Sequence, residues 1–534
     1  MVQYSTGKWD YEFDVVVVGF GGAGACAAVE AHNAGARTVL IEKQPEARHY
    51  SNTRMSGGGY HSPDPNGDRE ALKSYARAMF CGDNLPWKFE GDSVDYAEGL
   101  SEIWADYAPR NQEFMCSLDP DFISEFNGEA LYKDFPGAKE SGYRLAGSSY
   151  VRDRDNAKLM STPDSPKNEK VIGEAFFACL LNGVNSRGIP IHYETRAMKL
   201  LHDSDGVLIG VKTEHNGKAV YYRAKKAVIL TSGGFEYSKA LRSAFLEGHG
   251  ENGWAFYGSV YNTGDGIIMG MESGAALSKA GSAAGRLITS FPDLRANGLR
   301  IGIDITAIGR EHAIVVDNSG SRFFNERDNS LNPMRYINYK SALAFDTRRA
   351  IFPRIPSWFV FDETLRTRKS IILNTAVMYH GVTWSDDNHE AIDRGWILRA
   401  DTIDELAEKI KAHPDNFGQM DAQKLCDSVA KFNEYCAVGE DKDFNREPET
   451  LMPVEKPPFY ALPLFPGGPN TKGGLKANAQ RQVVDWNGNV IPRLYAAGEI
   501  ASAFKYVYQA GGNVAECIVF GRVAGIHAAN EESI

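Results

Sequence analysis

Three glycines and an acid give the first chemical reading. Gly19, Gly21 and Gly24 follow a run of valines in Asp14–Lys43, DVVVVGFGGAGACAAVEAHNAGARTVLIEK, and Glu42 closes the next apolar run. A strand, a glycine turn, a small-residue helix and a second strand ending in acid make a dinucleotide-binding βαβ unit. A pyrophosphate needs backbone N–H groups at a helix N-terminus with no Cβ in the way, which Gly21, Gly22 and Ala23 supply. Glu42, with Lys43 beside it, can accept hydrogen bonds from a ribose. The tail, LYAAGEIASAFKYVYQAGGNVAECIVFGRVAG, adds Gly498 and Glu499 after paired alanines, then Tyr508 and Gly512. Asn513 and Val514 open a predicted helix whose N–H groups and dipole can stabilise negative charge.

Elements must position these residues. The loop NTRMSGGG follows the first βαβ unit, and an amphipathic helical pattern begins near residue 68, with GLSEIWADYAPRNQEFM its clearest stretch. A loop rich in Gly, Ser, Arg and Asp over 134–158 precedes the helix EKVIGEAFFACLLNGVNSRG, which stops at Gly188. Asn216-Gly217, between two alternating runs, predicts a β-hairpin. Ala227 to Thr231 predicts a buried strand closed by Gly233-Gly234, and TGDGIIMGMESGAAL predicts a glycine turn opening a helix. Thr402 and Glu405 form a capping box at another helix start.

Composition narrows the classes. The chain has 534 residues, 43% hydrophobic and 24% charged, which is too long for one simple core. Its net charge of -11 and its lack of a basic block give no sign of a nucleic-acid partner or an anionic membrane surface. The longest apolar run, Val15 to Val29, falls short of the ~18 residues a transmembrane segment needs. No signal peptide opens the chain, and its 7 cysteines are odd in number and scattered, without CxxC. A cytoplasmic protein with reduced thiols, and no metal, is the expectation.

The GxGxxG start, SGGG, SGGF, TGDG and LYAAGE, in that order, resemble the FAD-dependent fumarate reductase and 3-ketosteroid dehydrogenase flavoprotein superfamily. The resemblance implies an α/β fold: a Rossmann-like, glutathione-reductase-type FAD-binding domain carrying an inserted α+β substrate or capping domain. The expected boundaries are 1–277 for the first part of the FAD domain, with a helical insertion at about 64–165. The capping domain follows at 278–457, and the rest of the FAD domain at 458–534. It further implies that Asn52, Thr53, Ser56, Gly57 and Gly58 lie near the pyrophosphate and flavin ring. Backbone near Ala197 would hold adenine, Ser232, Gly233 and Asp265 would line the cofactor, and Glu499 would meet the ribityl chain.

The tail also speaks to substrate. Fumarate reductases carry an arginine before Leu-Gly-Gly-Asn, where this chain has Gln509, and His-His-Thr-Met-Gly-Gly, where it has Pro469-Asn470-Thr471-Lys472-Gly473-Gly474. Losing both argues against a small dicarboxylate, whose charge a closed site must meet with charge. In the ketosteroid branch a tyrosine stands where Tyr508 does. That implies a ketone oxygen held by the Tyr508 hydroxyl and the Gly512 N–H, and hydride transfer between flavin N5 and the carbon β to the carbonyl. A Tyr or Arg then exchanges the neighbouring proton. IVVDNSGSRFFNERDN departs from both branches: Arg327 stands earlier than the fumarate reductases' proton-donating arginine, and Ser330 replaces the Δ1-ketosteroid enzymes' tyrosine. Arg327 and Tyr336 are the proton-exchange candidates, with Tyr339 nearby; His61, His312 and Tyr506 read as structural.

The expected substrate is therefore a hydrophobic small-molecule ketone, with an unidentified electron donor or acceptor. Two alternatives stand beside it. One is a reductase of an α,β-unsaturated acid, clamped by Arg310, Arg335 or Lys505. The other is an electron-transfer flavoprotein subunit.

Overall fold

The computed structural model describes residues 8–82, 92–129, 132–146, 172–329, 334–336, 338–372, 378–504, 507–508 and 510–534. Ser330, Lys505, Tyr506, Gln509, the side chain of Arg335 and the later part of the 134–158 loop lie outside the described residues. The chain divides into two compact units. One comprises Met1–Ser238, Gly258–Ser282 and Thr471–Ile534; the other comprises Lys239–Tyr257 and Ala283–Asn470.

The first unit is built on β1 (Tyr11–Val18), α1 (Gly22–Asn33) and β2 (Thr38–Ile41). β1 pairs in parallel with β2 on one side and with β3 (Lys218–Leu230) on the other. A parallel strand covered on both faces must be apolar throughout, which is why Val15 to Val18 are all buried. Asn216 and Gly217 both take positive φ, 50° and 74°, the geometry of a type I′ hairpin leading into β3. Two more elements complete the frame: α2 (Asp265–Glu272), opened by the TGDG turn, and β4 (Val490–Ala496), parallel to β3.

The tail helix, α3 (Gly512–Ala529), packs closely on α1. A Cβ on Gly521 would stand 2.7 Å from Ala23 O, and one on Gly525 would stand 2.3 Å from Ala27 O. Small residues on both helices are what let the backbones approach. The insertion is only partly helical. Besides the helices Arg69–Cys81, Asp92–Tyr107 and Asn111–Leu118, it contributes Ser124–Glu129 and Gly142–Ala146 to a three-stranded sheet with Gly59–His61. Ser124–Glu129 reads SEFNGE, without the alternation that marks a half-buried strand.

The second unit holds a six-stranded sheet whose central strand is Phe459–Gly468, buried over its whole length. That strand was expected in the returning segment of the FAD domain; Pro463 and Pro466 in its sequence disguise it as something other than a central strand. Phe459 and Ala461 face the helices Ile403–Ala412 and Ala422–Val438, while Tyr460, Leu462 and Leu464 face a second apolar cluster. The Thr402 hydroxyl accepts from Glu405 N–H at 3.2 Å, as a capping box requires. The Glu405 carboxylate reaches one residue further back, to Asp401 N–H at 3.1 Å. Among the described residues no helix is long and apolar enough to cross a membrane.

Candidate functional site

At the carboxyl end of β1 the glycines have separate tasks. Gly19, at φ +104°, lies so near β3 that a Cβ would stand 2.8 Å from Thr231 O. A Cβ on Gly24 would stand 2.0 Å from Gly19 O, so only glycine lets α1 start this close to the strand. Gly21, at the N-cap of α1, faces open space: a Cβ there meets nothing nearer than Ser51 Cβ at 3.8 Å. Gly22 N–H donates to Thr53 Oγ1 at 3.0 Å, which ties the NTRMSGGG loop to the helix start. Ala23 packs beneath Gly498, where a Cβ would stand 2.8 Å from its own. Ser56 braces the loop, donating to Thr53 O at 2.7 Å and accepting from Gly58 N–H at 3.1 Å. Gly57 again leaves open space, with nothing within 4 Å of a Cβ.

Glu42 ends β2 and is buried, its two oxygens accepting from Phe20 N–H and Gln44 N–H, both at 2.8 Å. Burial pushes its carboxyl above the ordinary range, against the pull of those two bonds. Lys43 Nζ donates to Thr263 Oγ1 at 2.7 Å and to Asp265 Oδ2 at 3.1 Å. Arg196, beside Ala197, adds two bonds to Asp265 at 3.0 and 3.1 Å. Burial opposes the charge on Asp265, yet Arg196 and Lys43 outweigh it and hold the carboxyl low. Lys43 and Asp265 are thus each other's partners at the start of α2.

A cluster of polar groups that the motifs only half disclose lies next to this. Asn52 Nδ2 donates to Glu236 Oε1 and Glu499 Oε2, while Asn52 Oδ1 accepts from Ser259 N–H at 2.7 Å. Asn262 also donates to Glu236, at 3.1 Å, and Thr471 Oγ1 lies 3.1 Å from Glu499 Oε1. Gly234 makes room for both acids, since its Cβ would stand 1.9 Å from Glu499 Oε1 and 2.7 Å from Glu236 Oε2. Gly233, at φ +75°, presses on Asn262, and Ser232 Oγ lies under Gly266 of α2. Glu236 was not anticipated; its signal was an acid directly after Gly233-Gly234-Phe235.

In the tail, Gly511 takes φ +81° as the N-cap of α3, so Gly512 is the first helical residue and Asn513 and Val514 the next. Tyr508 is buried, and its N–H and C=O are held by the Tyr132 hydroxyl at 3.3 and 3.2 Å. Lys472 Nζ lies 4.6 Å from the Tyr508 ring centroid and 4.5 Å from that of Phe504. It donates to Asn513 Oδ1 and sits 3.8 Å from Glu516. Burial pulls its ammonium below the ordinary lysine range, with Glu516 opposing. Nothing in the motifs singled out this lysine except its place in the altered Asn-Thr-Lys-Gly-Gly run.

The two proton-exchange candidates belong to the second unit and part company there. Arg327 lies on the turn Glu326–Asn329, its N–H donating to Asn325 Oδ1 at 3.0 Å. Tyr336 is buried, with the Arg286 guanidinium 5.4 Å from its ring centroid. Arg286 in turn donates to the Tyr257 hydroxyl at 2.9 Å and stands 3.1 Å from Asp304. Sequence reasoning missed these three residues. The Tyr339 hydroxyl accepts from Ala283 N–H, and His61 and His312 are bound to Ala510 O and Pro453 O, structural roles all.

The open space at Gly21 and Gly57, the helix start beside it and the buried acid at the end of β2 fit a dinucleotide cofactor. The sequence matches the FAD binding domain family over residues 14–514. It is 27% identical over 590 residues to a 3-oxosteroid 1-dehydrogenase of Mycobacterium tuberculosis, covering 97% of this chain and 99% of that protein. It is 26% identical over 521 residues to a fumarate reductase (cytochrome) of Shewanella frigidimarina, covering 97% of this chain and 77% of that one. The fold is similar to the crystal structure of 3-ketosteroid delta1-dehydrogenase from Sterolibacterium denitrificans. That likeness has a TM-score of 0.74 at 21% identity, over 97% of this chain and 99% of that one.

Proposed function

The chain belongs to the FAD binding domain family, and we propose that it oxidises or reduces the carbon–carbon bond next to a ketone in a hydrophobic, 3-oxosteroid-like substrate. Bound FAD supplies or accepts the hydride at the carbon β to the carbonyl. Gly21, Gly22 and Ala23 at the start of α1 hold the pyrophosphate, Glu42 the adenosine ribose, and Asn52 and Glu499 the ribityl side. The Tyr508 hydroxyl and the Gly512 N–H donate to the ketone oxygen and stabilise the charge that develops there.

The observation that carries this reading is the neutrality of the tail. Lys472, the buried cation beside Tyr508, is committed to Asn513 and Glu516 and so offers no clamp for a carboxylate. Gln509 stands where fumarate reductases carry arginine. Of the cations named for an acid substrate, Arg310 is described, and its guanidinium donates to Thr306 Oγ1 at 3.2 Å. Identities of 27% and 26% to relatives named for the two activities do not separate them. The tail residues favour the ketone.

The test is a substrate panel. Purified holoprotein is offered 3-keto-4-ene steroids, fumarate and urocanate with reduced viologen, and saturated 3-ketosteroids with an oxidising dye. Turnover confined to the steroids is expected; turnover of the acids alone would sink the reading and favour the acid reductase.

A further inference from the structure

We propose that Lys472 is the buried cation that sets the reduction potential of the bound flavin, acting from beside Asn513 at the start of α3. The proposal rests on FAD binding and on the start of α3 meeting the N1–C2=O edge of the flavin ring. It is independent of the ketone reading, since either substrate would draw on the same potential.

Every residue involved belongs to the first unit. Lys472 lies on the strand Thr471–Leu475 and is 1% exposed. Neighbouring side chains on a strand point to opposite faces. Here Thr471 Oγ1 lies 3.1 Å from Glu499 Oε1, while Lys472 Nζ donates to Asn513 Oδ1. One dipeptide thus ties the acid expected at the ribityl chain to the first turn of α3.

The surroundings of Lys472 leave its charge largely uncancelled. Its ammonium makes one hydrogen bond among the described residues, and that goes to a neutral amide. Phe504 and Tyr508 present their rings at 4.5 and 4.6 Å. Glu516, one turn further along α3, stands 3.8 Å away, beyond hydrogen-bond reach. Its carboxylate accepts instead from the Ser502 hydroxyl, 3.0 Å from each oxygen, and from Ala503 N–H at 3.1 Å. The cation leans on Asn513, and the acid is drawn to Ser502 and Ala503.

Burying an ammonium is costly unless a carboxylate meets it directly. Elsewhere in this unit one does: Lys43 donates to Asp265 at 3.1 Å, and Arg522 to Glu30 at 2.9 Å. Lys472 is more deeply buried than either and lacks that contact. Burial accordingly pulls its ammonium below the ordinary lysine range, against the charges of Glu516 and Glu499. A cation placed at such a cost to stability points to a use for its charge. Hydride arriving at flavin N5 leaves one negative charge over N1 and the C2 oxygen. The N–H groups and dipole of α3 meet that charge, and Lys472 adds a full positive charge beside them. Reduced flavin is thereby favoured over oxidised.

The experiment measures the midpoint potential of FAD-loaded enzyme against a reference dye, with FAD content and melting temperature alongside. Lys472→Met keeps an apolar stem and removes the charge. At a fixed potential its reduced-to-oxidised ratio should fall about tenfold or more, as for a unit charge acting across a side chain. For a two-electron couple that is a drop of about 30 mV or more. Lys472→Arg keeps the charge and should stay within about threefold of wild type, about 14 mV. Where an unpaired Glu516 unfolds the methionine variant, Lys472→Met/Glu516→Gln takes its place. Its ratio should still fall, because the cation is the charge bonded to the helix start. A ratio within about twofold of wild type in FAD-loaded Lys472→Met, or equal falls with Met and Arg, would overturn the assignment. So would a double variant at the wild-type potential. None of these readouts involves a substrate, so a failure of the ketone reading leaves them intact.

Discussion

Glu236 and Glu499 are clasped by one amide: Asn52 Nδ2 donates to Glu236 Oε1 at 2.8 Å and to Glu499 Oε2 at 3.0 Å. Thr471 Oγ1 reaches both acids as well, at 3.4 and 3.1 Å. Two carboxyls in one buried pocket cannot both ionise cheaply. Burial raises both, and the charge of Glu236 raises Glu499 further, well above its ordinary 4.5.

The sign of the resulting pH dependence follows. The folded chain keeps a proton that the unfolded chain releases above about pH 4.5, so the pair's contribution is present below that value. It is lost as pH rises through the folded values. Glu499→Gln removes this titration. The melting temperature of wild type minus that of Glu499→Gln should therefore fall as pH rises from 5 to 9. Parallel profiles would show that the acids do not share a proton.

Two glycine substitutions separate fold from cofactor. Gly24→Ala puts a methyl 2.0 Å from Gly19 O, a backbone atom that cannot turn aside. It should cost about 1–3 kcal/mol in urea denaturation and release FAD on gel filtration. Gly57→Ala meets nothing within 4 Å and should leave the apoprotein's stability unchanged. A weaker FAD affinity at unchanged stability would assign the open space to the cofactor; unchanged affinity would remove Gly57 from the site.

Glu326 gives the RFFNE motif a structural meaning. Arg322 holds it with two bonds of 2.8 Å, Arg446 lies 3.4 Å away, and Val315 N–H donates to it at 3.2 Å. Glu326→Ala leaves two buried arginines short of a partner and should destabilise the chain by about 3–5 kcal/mol. FAD content per folded molecule should be preserved. A loss below 1 kcal/mol would show that Asp441, which also binds Arg322, carries the cluster alone.

What could be read from the sequence was local. Gly19, Gly24 and Asn216-Gly217 announce themselves because one backbone geometry requires them within a few residues. Glu499 was legible through its alanine–glycine lead, while Glu236, equally close to Asn52, lacked a motif of its own beyond following two glycines. Tyr257, Arg286 and Asp304 lie on separate segments, and only the second unit's fold gathers them. The boundary at 457/458 puts Phe459–Gly468 with the FAD domain, and only its pairing with Arg286–Thr289 and Ser357–Asp362, far away in sequence, gives it to the second unit.

Tyr508 is the residue on which substrate choice most depends, and its surroundings allow a clean test. Its contacts with Tyr132 run through its backbone N–H and C=O, and Lys472 and Phe504 meet its ring. Tyr508→Phe keeps all of these and removes only the hydroxyl. The fold, the FAD content and the Lys472 contact should survive, while turnover of a 3-keto steroid falls about 10²- to 10³-fold, as when one oxyanion donor is lost. Ketone binding, read from the flavin spectrum, should weaken far less, because the donor matters most where charge develops. A variant that binds and turns over the steroid like wild type would assign the hydroxyl to packing and leave the ketone to the Gly512 N–H.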